Sequence, residues 1–153
     1  MNTATEHTHG TCDTKALNSL LRGELAAVET YDQAITKFED HQIIADITNI
    51  RAEHARSVEK LREKVIRFQG EPAKSSGPWG TFAAAVTATA KLLGPSTALS
   101  ALRQGEEHGI NEYEEALENE DVHPDCKDMI RTDLLPKCRQ HVAELERHLG
   151  VAK

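Results

Sequence analysis

Four stretches of the chain place apolar side chains at alternating intervals of four and three residues. This is the spacing of amphipathic helices that bury one face. Runs with a period of two, which would indicate strands, are absent. The spacing predicts an all-α fold with helices at about residues 14–38, 41–68, 95–119 and 124–149. Helices of roughly 25 residues, about 38 Å long, joined within each pair by a short turn favour an antiparallel four-helix bundle.

The sequence also predicts where these helices begin, bend and connect. Asp40 is a good N-cap for the second helix, and Pro136 should kink the fourth. A long connection follows the second helix and contains a short Ala-rich helix at about residues 79–93, so the bundle has one crossover between two helical hairpins. We expect the bundle to occupy residues 13–150 and the polar residues 1–12 to be a disordered tail.

The balance of charge disfavours one class of function. The chain carries 18 Lys and Arg against 25 Asp and Glu, a net charge of −7, so it has no basic surplus to neutralise nucleic-acid phosphates. No run of 18 apolar residues is present to span a membrane, and the first residues lack the pattern of a secretory signal. Three widely spaced cysteines do not make a disulfide framework. We therefore expect a cytoplasmic protein that binds neither nucleic acid nor membranes.

Each of the four predicted helices carries one polar residue on its apolar face. In chain order these residues are Glu24, His54, Glu106 and His141. The segment around Glu24 repeats around Glu106 at an offset of 82 residues, and Tyr31 is matched by Tyr113 at the same offset. The two histidines also match each other, in the second helix of each half. Two hairpins related by a pseudo-two-fold axis would therefore bring two acids and two histidines into one layer.

The energetics of such a layer indicate what it requires. An unpaired carboxylate on an apolar face costs on the order of several kcal/mol, and two neighbouring carboxylates cost more. A metal ion, protonated histidines or an arginine would neutralise them. Two Glu and two neutral His form a donor set that suits transition metals, so the candidate metal ligands are Glu24, His54, Glu106 and His141. We expect the hydroxyl groups of Tyr31 and Tyr113 to find a carboxylate.

The pattern resembles the ferritin-like superfamily, including rubrerythrin-type proteins, in which two helices each give a Glu and the other two each give Glu-x-x-His. Glu24 and Glu106, each with a tyrosine seven residues later, resemble the first and third rubrerythrin-type helices, and Glu53-His54-Ala55 resembles the second. The segments LLRGELAAVETY and GEEHGINEYEEAL resemble more specifically a bacterial family of ferritin-like proteins defined as a domain of unknown function. The resemblance covers about residues 15–149 and implies a bundle with an internal metal site.

Departures from the di-iron pattern limit what this resemblance implies. The positions three residues before the two histidines, where the pattern has Glu, hold Arg51 and Cys138, and Gly109 stands where the family has a further Glu. Two divalent ions would bring four positive charges against the two negative charges of Glu24 and Glu106. We therefore predict a degenerate site for one transition-metal ion (Fe, Mn or Zn), or for none if the site is vestigial, and no full di-iron centre.

A second interpretation keeps the buried layer without a metal. Arg51 lies one helical turn before His54 and could pair with either acid, so that Glu24, Arg51 and Glu106 form a dry salt-bridge network. The protein would then be a structural or protein-interaction module. Bundles of this type pair through helix faces, so a homodimer is compatible with both interpretations, although no pattern in the sequence specifies one. No nucleophile elbow, P-loop or dinucleotide-binding motif assigns a reaction.

Overall fold

The computed structural model describes residues 14–79, 88 and 93–150, and no strand occurs among them. The helices are α1 (Thr14–Ile35), α2 (His41–Arg67), α3 (Pro95–Glu118), α4 (Pro124–Met129) and α5 (Leu135–His148). A π-helical turn, Ile130–Leu134, joins α4 to α5, and these three pieces together form the fourth helix of the bundle. The predicted all-α four-helix architecture is confirmed. The predicted tail, residues 1–12, and most of the predicted short helix, residues 79–93, lie outside the described residues.

The helices pair as two hairpins. α1 packs along α2, and α3 packs along α5, while the contacts of α1 with α3 and of α2 with α5 close the bundle. The predicted N-cap of α2 is present, because the Asp40 carboxylate accepts hydrogen bonds from the backbone N–H groups of Gln42 at 2.8 Å and Ile43 at 3.0 Å. α3 begins with Pro95 directly after Gly94, whose φ of 90° lies in the left-handed region that glycine adopts without strain.

The fourth helix is irregular immediately before Pro136, where the sequence predicts a kink. Proline has no N–H, and in a regular α-helix its ring collides with the carbonyl group four residues earlier, here that of Thr132. Thr132 lies inside the π-helical turn, in which the N–H of Leu135 donates to the carbonyl of Ile130, five residues back. The wider turn relieves the collision and lets the chain continue into α5.

Two apolar clusters form the core, one on each side of a layer of polar side chains. One cluster includes Leu17, Leu21, Leu61, Val65, Ile130 and Leu134. The other includes Ala34, Ile47, Ile50, Leu99, Leu102 and Leu145. On every helix of the bundle the polar residue lies between the two sets, so the polar layer, Glu24, His54, Glu106 and His141, crosses the middle of the molecule. Among the described residues, none of the helices combines the length and hydropathy that crossing a bilayer requires.

Candidate metal centre

The structure brings the four polar residues predicted from the sequence to one level of the bundle. Each comes from a different helix of the bundle, and their exposed fractions are only 5% for Glu24, 4% for His54, 4% for Glu106 and 2% for His141. Because 3.6 residues complete a helical turn, residues at intervals of three and four share one face, which here is the buried face. On each of the four helices of the bundle, this periodicity therefore places one carboxylate or imidazole on the buried face.

His54 occupies the centre of the polar layer. Its Nδ1 lies 2.5 Å from Oε2 of Glu24, and its Nε2 lies 2.7 Å from Oε1 of Glu106. One imidazole thus joins the carboxylates of α1 and α3, the two helices that carry the repeated glutamates. The ring of Tyr31 stacks on the imidazole, with centroids 5.5 Å apart, which further fixes its plane.

His141 approaches the same carboxylate from the fourth helix. Its Nδ1 lies 3.3 Å from Oε2 of Glu106, and its ring centroid lies 4.9 Å from that of His54. Its other nitrogen, Nε2, lies 2.7 Å from Oε2 of Glu53. The pseudo-symmetry of the sequence repeat is therefore broken, because His54 meets both repeated glutamates whereas His141 meets one of them and Glu53.

Glu53 also contacts the polar layer, and the sequence did not predict it as a residue of this site. It directly precedes His54, and 21% of its side chain is exposed, so it stands at the edge of the buried face of α2. The repeat offered no signal for it, since the residue before His141 is Gln140. The Glu53 carboxylate reaches from α2 to α5, where its Oε2 lies 2.7 Å from Nε2 of His141.

The two tyrosines hold the carboxylates in a crossed arrangement. The Tyr31 hydroxyl donates to Oε1 of Glu106 at 2.6 Å, and the Tyr113 hydroxyl donates to Oε1 of Glu24. The predicted tyrosine–carboxylate contacts are therefore present, and each one joins the first half of the chain to the second. Burial and the neighbouring glutamate raise the pKa of both phenols well above their usual value, so both remain hydrogen-bond donors.

Charge coupling sets the protonation of the layer when no metal is bound. Burial alone would lower the pKa of His54, but the negative charges of Glu106 and Glu24 outweigh burial and hold that pKa well above its usual value. Burial alone would raise the pKa of Glu106, but His54 and His141 outweigh it and hold that pKa well below its usual range. In the metal-free layer the raised pKa of His54 and the lowered pKa of Glu106 therefore favour an ion pair between these two side chains.

Arg51 does not enter the layer, which corrects the predicted network of Glu24, Arg51 and Glu106. Its Nε donates instead to Oδ1 of Asp32 on α1 at 2.7 Å, and 38% of the Arg51 side chain is exposed. At this edge of the α1–α2 pair the guanidinium keeps part of its hydration, which it would lose between the buried glutamates. The side chains that lie between the buried carboxylates are the imidazoles of His54 and His141, whose pKa values the neighbouring glutamates raise.

Cys138 lies beside the layer as a buried thiol. Only 3% of its surface is exposed, and burial together with the charges of Glu24 and Glu106 raises its pKa far above the usual value. In the metal-free layer Cys138 is therefore a neutral thiol. The ligand atoms that lie close enough to one another to hold one ion belong to His54, Glu106 and His141.

Three of the four candidate ligands are close enough to converge on one ion. His54, Glu106 and His141 each offer a ligand atom, and these atoms lie within 4.8 Å of one another. Glu24 lies behind His54, on the opposite nitrogen of its ring. Two imidazoles and one carboxylate form a donor set that suits a single transition-metal ion such as Zn or Fe(II), so the residues present fit one ion.

A di-iron centre does not fit these residues. Arg51 points to the solvent edge, the thiol of Cys138 takes the place of one bridging carboxylate, and Gly109 contributes no side chain at all. Two ions would bring four positive charges to a site in which Glu24, Glu53 and Glu106 supply three negative ones. This balance of charge disfavours a two-metal site, and the one-ion site stays a prediction.

Comparisons with known proteins bear on the fold and the family. A structure solved by crystallography and described as ferritin like, diiron-carboxylate proteins from Bacillus anthracis str. Ames is similar to this chain, with a TM-score of 0.70 and 18% sequence identity. The similarity covers 89% of this chain and 94% of that chain. At this level of identity the likeness shows a shared ferritin-like fold. No protein with a curated description matches the sequence.

The family is identified by a separate match to the sequence. The profile of the family described as Domain of unknown function (DUF2383) matches residues 13–119. The matched segment contains α1, α2 and α3 with the glutamates Glu24 and Glu106, and it spans more than half of the 153 residues. The chain therefore belongs to the DUF2383 family, and its fold is ferritin-like.

Proposed function

We propose that this bundle binds one divalent transition-metal ion (Fe, Mn or Zn) in its polar layer. The ligands would be Nε2 of His54, Nδ1 of His141 and a carboxylate oxygen of Glu106. The observation that carries this proposal is the convergence of these three buried ligand atoms within 4.8 Å of one another. When bound, such an ion would supply Lewis-acid chemistry or, as iron or manganese, redox chemistry.

The neighbouring residues would orient these ligands. Nδ1–H of His54 donates to Glu24, and Nε2–H of His141 donates to Glu53 when Nδ1 faces the ion. A carboxylate on the far nitrogen fixes the tautomer and plane of a ligating imidazole and makes it more basic. Tyr31 holds Glu106 in the same way, by donating to its Oε1. Glu24, a ligand candidate in the sequence, thus has its best-supported role as the partner of His54.

A second candidate function is a metal-free structural module, and one observation favours it. Each side-chain polar atom of the four layer residues has a hydrogen-bond partner in the structure. Among the described residues, the buried side-chain atom that lacks a partner is Nε of Arg103, which is not a member of the layer. A fully satisfied polar layer fixes the register of a bundle without any ligand. The metal-free state is therefore a stable arrangement and not a collapsed one.

Metal analysis separates the two functions. The protein is produced without a His-tag, and bound metal is measured by elemental analysis and by titration with Fe(II), Mn(II) and Zn(II). We expect one equivalent in the wild type, none in Glu106→Gln, and an affinity about 10–100-fold lower in Glu24→Gln because the orienting partner of His54 is changed. Glu107→Gln, at the exposed neighbouring position, is the matched control and should bind like the wild type.

The thermal stability supplies an independent readout. An ion that binds the folded state must raise the melting temperature, so an increase is expected with at least one of the three metals and not in Glu106→Gln. Absence of bound metal together with unchanged melting in all three titrations would contradict the proposal and leave the structural module as the function. Two equivalents of iron per chain would contradict the one-ion site.

A further inference from the structure

A cavity of about 330 Å³ lies between α1 and α3 and reaches the polar layer from that side. Among the described residues that line it are Glu24, His54 and Glu106, together with the tyrosines Tyr31 and Tyr113. His141 and Glu53 do not line it. The cavity therefore meets two of the three proposed metal ligands and leaves the third on the opposite side of the layer.

The residues of α1 and α3 explain why this space exists. The wall on α1 includes Gly23, Ala26 and Ala27, and the wall on α3 includes Gly105 and Gly109. These residues have side chains of one carbon or none, so the two helices leave a gap that their side chains cannot fill. A Cβ atom added at Gly109 would meet no atom within 4 Å. Gly109 stands where the di-iron pattern has a Glu. The space that this Glu side chain would occupy is therefore part of the cavity.

We propose that this cavity binds a small, predominantly apolar molecule that carries no acidic group. The volume is about twice the ~150 Å³ of a cavity that holds benzene, and it lies at the low end of ligand pockets at roughly 300–1,000 Å³. Leu20 and Leu102 add apolar surface to the alanine and glycine walls. A chain of about eight to ten carbon atoms, or a small ring system, matches this volume and lining.

The polar end of the cavity excludes anions. Glu24 and Glu106 form part of its lining, and Glu112 adds a third carboxylate from α3. The oxygens of Glu24 and Glu106 are already hydrogen-bonded to histidine and tyrosine. A carboxylate or phosphate on the ligand would therefore meet three glutamates against two lining histidines, His54 and His108, and His54 already joins Glu24 to Glu106. An uncharged ligand meets no such excess of like charge.

That the bound molecule would lie beside a metal ion rests on the proposed function. The binding of the molecule to the cavity does not depend on the metal. The walls are formed by side chains of the bundle itself, and an apolar molecule gains its affinity from burying surface. Ligand binding can consequently be measured on protein kept in a chelator, with the metal titrated separately. The two proposals can fail independently.

Calorimetric titration of the full chain with 1-octanol and with octanoate tests the cavity. We expect 1-octanol to bind and to raise the melting temperature, and octanoate to bind at least about tenfold more weakly because of the three carboxylates. Gly109→Leu fills the cavity from α3 and should weaken 1-octanol binding about tenfold or more. Asn111→Leu adds the same side chain at an exposed position of α3 and should bind like the wild type.

Ala27→Leu fills the cavity from the opposite wall, so that the test survives if Gly109→Leu fails to fold. Loss of binding in either folded variant, with retention in Asn111→Leu, supports the proposal, and zinc titration of the same variants should be unchanged. No binding of 1-octanol to the wild type would overturn it. Equal binding by the wild type and both filled variants, or octanoate binding as tightly as 1-octanol, would overturn it as well.

Discussion

His54 is the residue on which the polar layer depends, because each of its ring nitrogens faces a different buried carboxylate. Without a metal this imidazole joins Glu24 to Glu106, and in the proposed metal site the same Nε2 would become a ligand while Nδ1 would keep its partner. In this exchange Nε2 gives up its proton, so metal binding would be coupled to the release of a proton. One imidazole can therefore serve the stability of the fold and the chemistry of the site.

The first prediction concerns the Tyr31 hydroxyl. Replacing it by Tyr31→Phe removes a donor from a buried, ionised carboxylate, which we expect to lower the free energy of unfolding by about 1.5–3 kcal/mol. Thr48→Val, which removes an exposed hydroxyl bonded to the carbonyl of Ile44, should change it by less than about 0.5 kcal/mol. Urea denaturation in the presence of a chelator measures both. Equal stability of Tyr31→Phe and the wild type would show that Glu106 does not need this donor.

The sequence predicted the members of the layer better than it predicted their neighbours. Glu24, His54, Glu106 and His141 lie on the buried faces because helical periodicity fixes which residues point inward. Arg51 and Glu53 lie at the edges of the α2 face, where a long side chain can turn inward or outward. Periodicity does not decide between these directions. Arg51 turns to Asp32 at the surface, whereas Glu53 reaches His141.

At the scale of the element, the fourth helix shows the same limit of prediction. Pro136 predicts an irregularity in the fourth helix, because its ring collides with the carbonyl group four residues earlier in a regular α-helix. The form of that irregularity, a π-helical turn over Ile130–Leu134, depends on the packing of the turn against the rest of the bundle. Ile130 and Leu134 remain fully buried in one apolar cluster, so the wider turn keeps both side chains in the core.

The second prediction concerns a polar anchor of that turn. Asp133 pairs with Lys60 of α2 and with Lys137, whose Nζ lies 2.7 Å from Oδ1. Burial alone would raise the pKa of Asp133, but its bonds to Lys137 and Lys60 outweigh burial and lower it. A carboxyl group with a lowered folded-state pKa stabilises the fold above its unfolded pKa of about 3.9, and this contribution disappears as the pH falls through the folded-state pKa.

Asp133→Asn should therefore be less stable than the wild type by about 0.2–1 kcal/mol at neutral pH, the range of partly exposed ion pairs. The difference should shrink as the pH falls below about 4 and through the lowered folded-state pKa, at which the carboxyl of the folded wild type takes up its proton. Urea denaturation of both proteins between pH 7 and pH 3 measures it. Asp128→Asn, at an exposed position of α4, is the control. A difference that grows on acidification would contradict the assigned sign.

At the scale of the whole molecule, the polar layer joins the two hairpins. The tyrosine–carboxylate bonds, the bond of His54 to Glu106 and the bond of His141 to Glu53 all cross from one hairpin to the other. The apolar clusters above and below the layer also span both hairpins. The fold is thus held by the two clusters, and the layer between them costs desolvation that its internal bonds offset.

The final prediction follows from that division of roles. Glu106→Met alone leaves His54 and Tyr31 without their acceptor and should lower the free energy of unfolding by about 3–5 kcal/mol in a chelator. A combined variant replaces the entire layer, with Glu24→Met, His54→Leu, Glu106→Met, His141→Leu, Tyr31→Phe and Tyr113→Phe. It removes every charge of the layer together with its partners, so it should be more stable than Glu106→Met and close to the wild type.

Neither variant should bind metal, which separates the chemistry of the layer from its contribution to the fold. Urea denaturation followed by circular dichroism gives the stability of each protein, and the slope with urea reports whether unfolding stays cooperative. A combined variant that is less stable than Glu106→Met would show that the layer itself holds the hairpins together. A stable combined variant would leave metal or ligand binding as the reason for placing two acids and two histidines in the middle of the bundle.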